Sequence, residues 1–276
     1  RYYKVRTTQV NLATVLAEFV RLVMMSKILD KKFEDTTTED IENLVYVIDK
    51  RKNSDNTKNK FRKVLKSFYR WMKKYPKGQF PPEVQWITLK KLPLITVKAD
   101  DLLSYDECIK ITEKTLNLRD KALLQCLLDA GCRIGEMLTV RIGEVEFNDG
   151  GAVLRCDGKT GEGSLILTWA SKILAVWINN HPFRDNPQAP LWPQLGKSTP
   201  VQLQYHSIRK ILKDCRNRAG CKKRMWLHML KHVSSTQDAL NGMPDSFRRY
   251  KHHWTQNSRM PQVYEHLSAS IIPNIQ

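Results

Sequence analysis

A chain of 276 residues is long enough for two ordinary domains with separate cores. Its formal charge of +18 and pI near 9.7 point to a polyanionic partner, nucleic acid ahead of an anionic membrane surface, because each phosphate contact releases a counterion without needing a shape match. No apolar run approaches the roughly 20 residues that span a bilayer, and no signal-peptide core follows Arg1-Tyr-Tyr-Lys4, which argues against a membrane-spanning or secreted protein and for a soluble, cytoplasmic one.

The first elements are helical. Residues 11–25 form an apolar-rich helix, and Thr36-Thr-Thr-Glu39-Asp40-Ile41 reads as a capped helix start. Between Thr57 and Tyr75, Phe61, Val64, Leu65, Phe68, Trp71, Met72 and Tyr75 recur at three- and four-residue steps and predict one buried face. Lys58, Lys60, Arg62, Lys63, Lys66 and Arg70, continued by Lys73, Lys74 and Lys77, fill the rest of that stretch without a carboxylate among them. A solvated face normally mixes signs, so these cations are read as a phosphate-facing surface. Pro76, Gly78, Pro81, Pro82 and Pro93 then break the helical period. The expected organisation is a helical domain over 1–80, a linker over 81–99 and a second domain over 100–276.

In the second part, Asp100 to Glu107 opens a helix, and Arg119 to Leu128 is apolar nearly all round, as a core helix should be; Gly131 ends it before Arg133. Short β-type runs at 145–147, 152–156 and 164–168, separated by glycine-rich turns, predict a small antiparallel meander with Lys159 at a hairpin tip. Helices are expected over 171–179 and 201–219, with a proline-punctuated loop between them. The fold class is therefore mainly α, with one small antiparallel sheet in the second domain. The cysteines, Cys108, Cys126, Cys132, Cys156, Cys215 and Cys221, lack a disulfide spacing and suit a reducing compartment. Cys215, Cys221, His228 and His232 form the one spacing to weigh as zinc, but Cys-x5-Cys is wide, and the favoured reading has neither metal nor cofactor.

Taken in order, Asp129-Ala-Gly-Cys-Arg133-Ile-Gly-Glu136, Gly158-Lys159-Thr-Gly161, His228-Met-Leu-Lys231-His232 and Trp254 followed by Tyr264-Glu-His266-Leu resemble the tyrosine recombinase (phage integrase) family over nearly the whole chain. Asn257-Ser-Arg-Met-Pro-Gln-Val-Tyr264 looks most like archaeal members. The resemblance implies a core-binding domain and a catalytic domain that clamp double-stranded DNA, and self-association from dimer to tetramer in the synapse. It also implies cleavage and rejoining through a 3′-phosphotyrosine without metal or ATP. Tyr264 would be the nucleophile. Arg133, Lys231 and Trp254 would bind the phosphate, Lys159 would protonate the leaving 5′-oxygen, and His228 would assist proton movement. Glu136 and His232 would orient these groups, and a nucleoid-associated location in the cytoplasm follows.

Two positions depart from the family pattern. Lys231 stands where the family has a second Arg and offers a point charge in place of a bidentate fork. His252-His253-Trp254 replaces a Leu-Gly-His triplet, and the two histidines read as helix-surface residues, although a one-residue shift of register would make His253 the phosphate ligand. Type IB topoisomerase chemistry and a DNA-binding protein with an impaired site are the alternatives. The sequence starts at Arg1 without a methionine, so it is read as a fragment of a longer chain.

Overall fold

The structure, a computed structural model, describes residues 1–93, 99–158 and 161–271. Lys159 lies outside the described residues, as does part of the expected linker. The chain divides into two compact units, Arg1–Leu94 and Ile95–Gln276.

The first unit contains α1 (Tyr2–Thr7), α2 (Leu12–Leu29), α3 (Thr38–Lys50), α4 (Asp55–Met72) and the short α5 (Pro82–Gln85). Polar side chains fix where the long helices begin: Asn11 accepts the Thr14 N–H, Thr37 and Asp40 form a reciprocal capping box, and Ser54 accepts the Thr57 N–H. The periodic face of α4 buries Phe61, Val64, Leu65 and Tyr69 against Ile41, Leu44 and Ile48 of α3 and Met25 of α2. Tyr75, expected on that face, is exposed, because α4 stops at Met72 and Lys74 turns the chain with φ of +60°.

Two expectations need correcting here. Residues 81–90 do not behave as a linker: Val84 and Ile87 are buried in this unit's core, and the Asn59 amide pairs with both backbone groups of Lys90 at 2.8 and 3.1 Å. The prolines shape this segment without loosening it, since Pro81 and Pro82 start α5 where no N–H partner is needed. Arg62, counted among the phosphate-facing cations, is buried; its guanidinium donates to both Asp49 carboxylate oxygens at 2.7 and 2.6 Å and to Asn59. Lys66 is half-buried and donates to the Ile87 carbonyl at 2.7 Å, and Lys58 donates to the Asp49 carbonyl at 2.7 Å. Lys60 and Lys63 remain exposed.

Arg62→Ala is therefore expected to destabilise this unit by roughly 1–3 kcal/mol, since it removes charge-assisted hydrogen bonds from one guanidinium nitrogen to both Asp49 oxygens. Lys60→Ala and Lys63→Ala should stay within about 0.5 kcal/mol of wild type and, on the expectation that these exposed cations face phosphate, flatten the salt dependence of duplex binding. Urea titration and binding at two salt concentrations separate the two classes.

The second unit contains α6 (Tyr105–Thr112), α7 (Leu118–Ala130), α8 (Ile134–Thr139), β1 (Val145–Asn148), β2 (Gly151–Gly158), β3 (Gly161–Leu167), α9 (Ser171–Asn179), α10 (Tyr205–Arg218), α11 (Leu227–Leu240), α12 (Asp245–Lys251) and α13 (Met260–Ile271). Buried on nearly every side, α7 is the core helix that its sequence predicts. The strands form an antiparallel sheet in the order β1-β2-β3, with Val145 opposite Leu154 and Leu154 opposite Leu165. The sheet is tied to α7 by Asp129, whose carboxylate accepts the Thr168 N–H and hydroxyl and the Ala170 N–H at 2.8 to 2.9 Å. At the β1–β2 turn only glycine fits: Gly151 has φ of +141°, and a Cβ there would lie 2.0 Å from the Leu167 carbonyl oxygen. Among the described residues, no helix is long and apolar enough to cross a membrane.

Candidate active site

The site begins where α7 ends. Gly131 closes that helix in the left-handed region, φ +57°, donating its N–H to the Leu127 carbonyl. This turn carries Arg133 to the start of α8, where the Glu136 carboxylate accepts both the Arg133 backbone N–H at 2.8 Å and its guanidinium at 2.7 Å. Glu136 is buried, whereas the Arg133 side chain keeps 44 % of its surface exposed, so the charge is held at its base and open at its tip. Burial alone would raise the Glu136 pKa, but His253 and the two Arg133 donors outweigh it and hold it down to about 2. A Cβ on Gly131 would lie 2.4 Å from the His252 ring and 2.5 Å from the Ser234 hydroxyl. Gly131→Ala is therefore expected to cost about 2 kcal/mol or more, through overpacking added to a strained φ, and thermal unfolding measures it.

The second contribution comes from α11, whose helical spacing puts His228, Lys231 and His232 on one face. Lys231 is 3 % exposed and donates to the His252 carbonyl at 3.0 Å; burial pulls its pKa down to about 8. His228 is exposed, and its ring sits edge-on to His232 at 4.7 Å. Desolvation, with Lys231 and Arg133 nearby, lowers its pKa. A cleft of about 570 Å³ runs beside these histidines, lined also by Trp226, Lys223 and Arg224.

Tyr264 arrives on α13, packed on α11, and is fully buried. Its hydroxyl lies 2.8 Å from His232 Nδ1, and its ring stacks on Trp254 at 5.4 Å with 7° between the planes. Burial raises the Tyr264 pKa and lowers that of His232 to about 4, so the pair is neutral at pH 7, and proton transfer between them is unfavourable while the site is closed.

Arg133, Glu136, His228, Lys231, His232, Trp254 and Tyr264 are thus gathered from separate segments into one region. Lys159 falls between Gly158 and Gly161, which pair with each other, and lies outside the described residues. The tyrosine's partner is His232, where the sequence pattern pointed first to His228.

The histidines read as surface residues are not on the surface. His252 is fully buried, with Nε2 2.8 Å from an Asp238 oxygen that Lys251 also approaches, at 2.9 Å. The His253 ring lies 3.0 Å from the Ser164 carbonyl and 3.7 Å from Glu136. His253 also follows α12 at the position where helices favour glycine. Among the described residues, no group of three or more His, Cys, Asp or Glu is arranged to hold a metal ion, so Cys215, Cys221, His228 and His232 do not form the spacing-based zinc site.

Residues 99–270 match the model of the phage integrase family. The chain belongs to this family. Curated relatives include the tyrosine recombinase XerC of Chromobacterium violaceum, 24 % identical over 176 residues that cover 60 % of this chain and 55 % of the relative. XerC of Xylella fastidiosa is 28 % identical over 145 residues, 52 % of this chain and 46 % of the relative. This phage integrase family chain spans about half the length of the curated relatives it matches. Among solved structures, XerH site-specific recombinase bound to palindromic difH substrate in a post-cleavage complex aligns with a TM-score of 0.72 at 17 % identity, covering 96 % of this chain and 79 % of that one. A lambda integrase(75–356) dimer bound to a COC′ core site aligns with a TM-score of 0.69 at 15 % identity, covering 97 % and 93 %. These likenesses establish the fold: mostly helical, with a small three-stranded antiparallel sheet.

Proposed function

We propose that this protein is a site-specific DNA recombinase that cleaves and rejoins double-stranded DNA through a 3′-phosphotyrosine intermediate. The observation that carries the reading is one tyrosine, Tyr264, gathered with two cations, Arg133 and Lys231, and two histidines, His228 and His232. A phosphoryl group in transfer spreads charge over its non-bridging oxygens, and this donor set answers that charge without a metal. Tyr264 Oη attacks phosphorus in line, the bond from phosphorus to the 5′-oxygen breaks, and Lys159 protonates that oxygen as it leaves. The tyrosine proton passes to the histidine pair, with His232 already at the hydroxyl. The phosphodiester energy is kept in the phosphotyrosine, so rejoining needs only a new 5′-hydroxyl.

Arg133 and Lys231 hold the non-bridging oxygens, Trp254 donates its indole N–H to one of them, and Glu136 orients Arg133. Because the Tyr264 hydroxyl is buried against His232, α13 shifts when DNA arrives, and the free site is held off. On α4, Lys60 and Lys63 lead the DNA contacts, with Lys58, Lys66 and Arg70 beside them. Self-association on DNA, from dimer to tetramer, belongs to the same reading, as does a cytoplasmic, nucleoid-associated location, supported by the +18 charge. Within the family, affinity to archaeal members rests on the stretch from Asn257 to Tyr264.

The test is strand exchange between two labelled duplexes carrying a site selected from a random library. Recombinant product supports the reading; relaxation of plasmid without site dependence supports type IB topoisomerase action instead. A second reading, DNA binding with an impaired site, is favoured by the burial of Lys231 and Tyr264, and binding without strand exchange or relaxation is its signature.

A further inference from the structure

The end of α12 is built as a Schellman turn: the His253 N–H reaches the Tyr250 carbonyl at 3.2 Å and the Trp254 N–H reaches the Arg249 carbonyl at 2.9 Å. His253 takes the left-handed position, φ +52°, which glycine adopts freely and other residues adopt at a cost. Such strain persists where surrounding contacts hold it. Here the contacts are made by the ring. Nε2 lies 3.0 Å from the Ser164 carbonyl on β3, and Nδ1 lies 3.7 Å from the Glu136 carboxylate, which is itself bonded to Arg133. The ring is seated on Gly163, where a Cβ would come within 3.0 Å of it.

We propose that His253 is a positioning residue of the DNA-cleaving site: its imidazole bridges Glu136 and Ser164, and so sets Arg133 and β3 in fixed register for the phosphate. This rests on the cleavage reading above. Both ring nitrogens face acceptors, a carbonyl and a carboxylate, which favours the doubly protonated ring. Glu136 on α8 raises the pKa of His253, desolvation and Lys231 on α11 oppose it, and Arg133 faces the same carboxylate. Glu162 on β3 and Arg249 on α12 line the adjoining cleft. Bridging therefore weakens as pH rises through the histidine range and the ring loses a proton.

The test compares wild type with His253→Gly, which relieves the strained φ and removes the ring, and His253→Gln, which can still donate to the Ser164 carbonyl but carries no charge. On a nicked duplex that traps the covalent product, His253→Gly should keep its duplex affinity and its melting temperature, yet cleave about 10-fold more slowly or worse. The gap to wild type should narrow as pH is raised, and His253→Gln should recover only part of the rate. Hydrogen exchange of the β3 amides, read without any cleavage, should quicken in His253→Gly. The proposal is overturned by rates equal to wild type at every pH with unchanged β3 exchange, or by a rate that falls only in step with the melting temperature. A wild type that forms no adduct sinks the cleavage reading, while the exchange measurement still decides whether His253 pins β3.

Discussion

Tyr264→Phe is expected to yield a folded protein that binds duplex DNA as wild type does but forms no covalent adduct with a nicked trap substrate, a loss of about 10^4-fold or more in cleavage rate. The ring is fully buried between Trp254 and α11, and phenylalanine keeps its shape; only the hydroxyl that meets His232 Nδ1 at 2.8 Å is lost. Neutral His232 keeps water or tautomer change as its recourse, so the cost in stability should stay near 1 kcal/mol. Denaturing gels read the chemistry, and a binding isotherm beside them shows that the fold and the interface survive. An adduct formed by Tyr264→Phe would place the nucleophile elsewhere.

Lys231 should reveal a conflict between stability and activity. It is 3 % exposed, and burial has drawn its pKa from 10.5 to about 8. The unfolded chain keeps this proton up to about pH 10.5 while the folded chain releases it near pH 8, so between these values the unfolded state binds more protons and stability rises with pH. Below pH 8 the folded protein bears the whole cost of the buried charge, on the order of 3 kcal/mol. Lys231→Met, similar in length and uncharged, is therefore expected to raise stability at pH 7 by roughly 1–3 kcal/mol and to lose that advantage toward pH 10.

On the proposed mechanism the same substitution should cut cleavage by about 10^2-fold, because the transition state would lose a cation beside its non-bridging oxygens. On the same mechanism, a DNA phosphate arriving at wild-type Lys231 would restore the charge that burial disfavours. DNA binding near pH 8 should thus take up a proton, and affinity should fall as pH rises further. Calorimetry in buffers of different ionisation enthalpy measures that uptake. Lys231→Arg, whose charge does not titrate, should hold its cleavage rate above pH 8, where wild type declines.

How much of this was legible in sequence depends on whether a feature is carried by order along the chain or by packing between segments. That Arg133, Lys231 and Tyr264 come together could be expected because each sits in a short local pattern, and the Gly131 turn and the face of α11 follow from local rules. Helix α7 was readable for the same reason: an all-round apolar pattern leaves a helix no place but the core.

What failed involved partners supplied from elsewhere. Arg62 looked like its neighbours Lys60 and Lys63, and only Asp49 at the end of α3 makes it an internal residue. Residues 81–90 looked loose because prolines interrupt the helical period, whereas Val84, Ile87 and the Asn59 amide anchor them. The pairing of Tyr264 with His232 depends on how α13 lies on α11, and His253 reaches Glu136 only because α12 ends in a left-handed turn.

The central claim is that Tyr264 is the group that takes the phosphate. It is tested most directly by digesting the trapped adduct of the wild-type protein and sequencing the DNA-linked peptide by mass spectrometry. The account predicts a single modified peptide containing Tyr264, joined to the 3′-phosphate of the cleaved strand, with a free 5′-hydroxyl on the released fragment. Linkage through another residue, attachment to a 5′-phosphate, or DNA that is bound tightly and recovered uncut would contradict it.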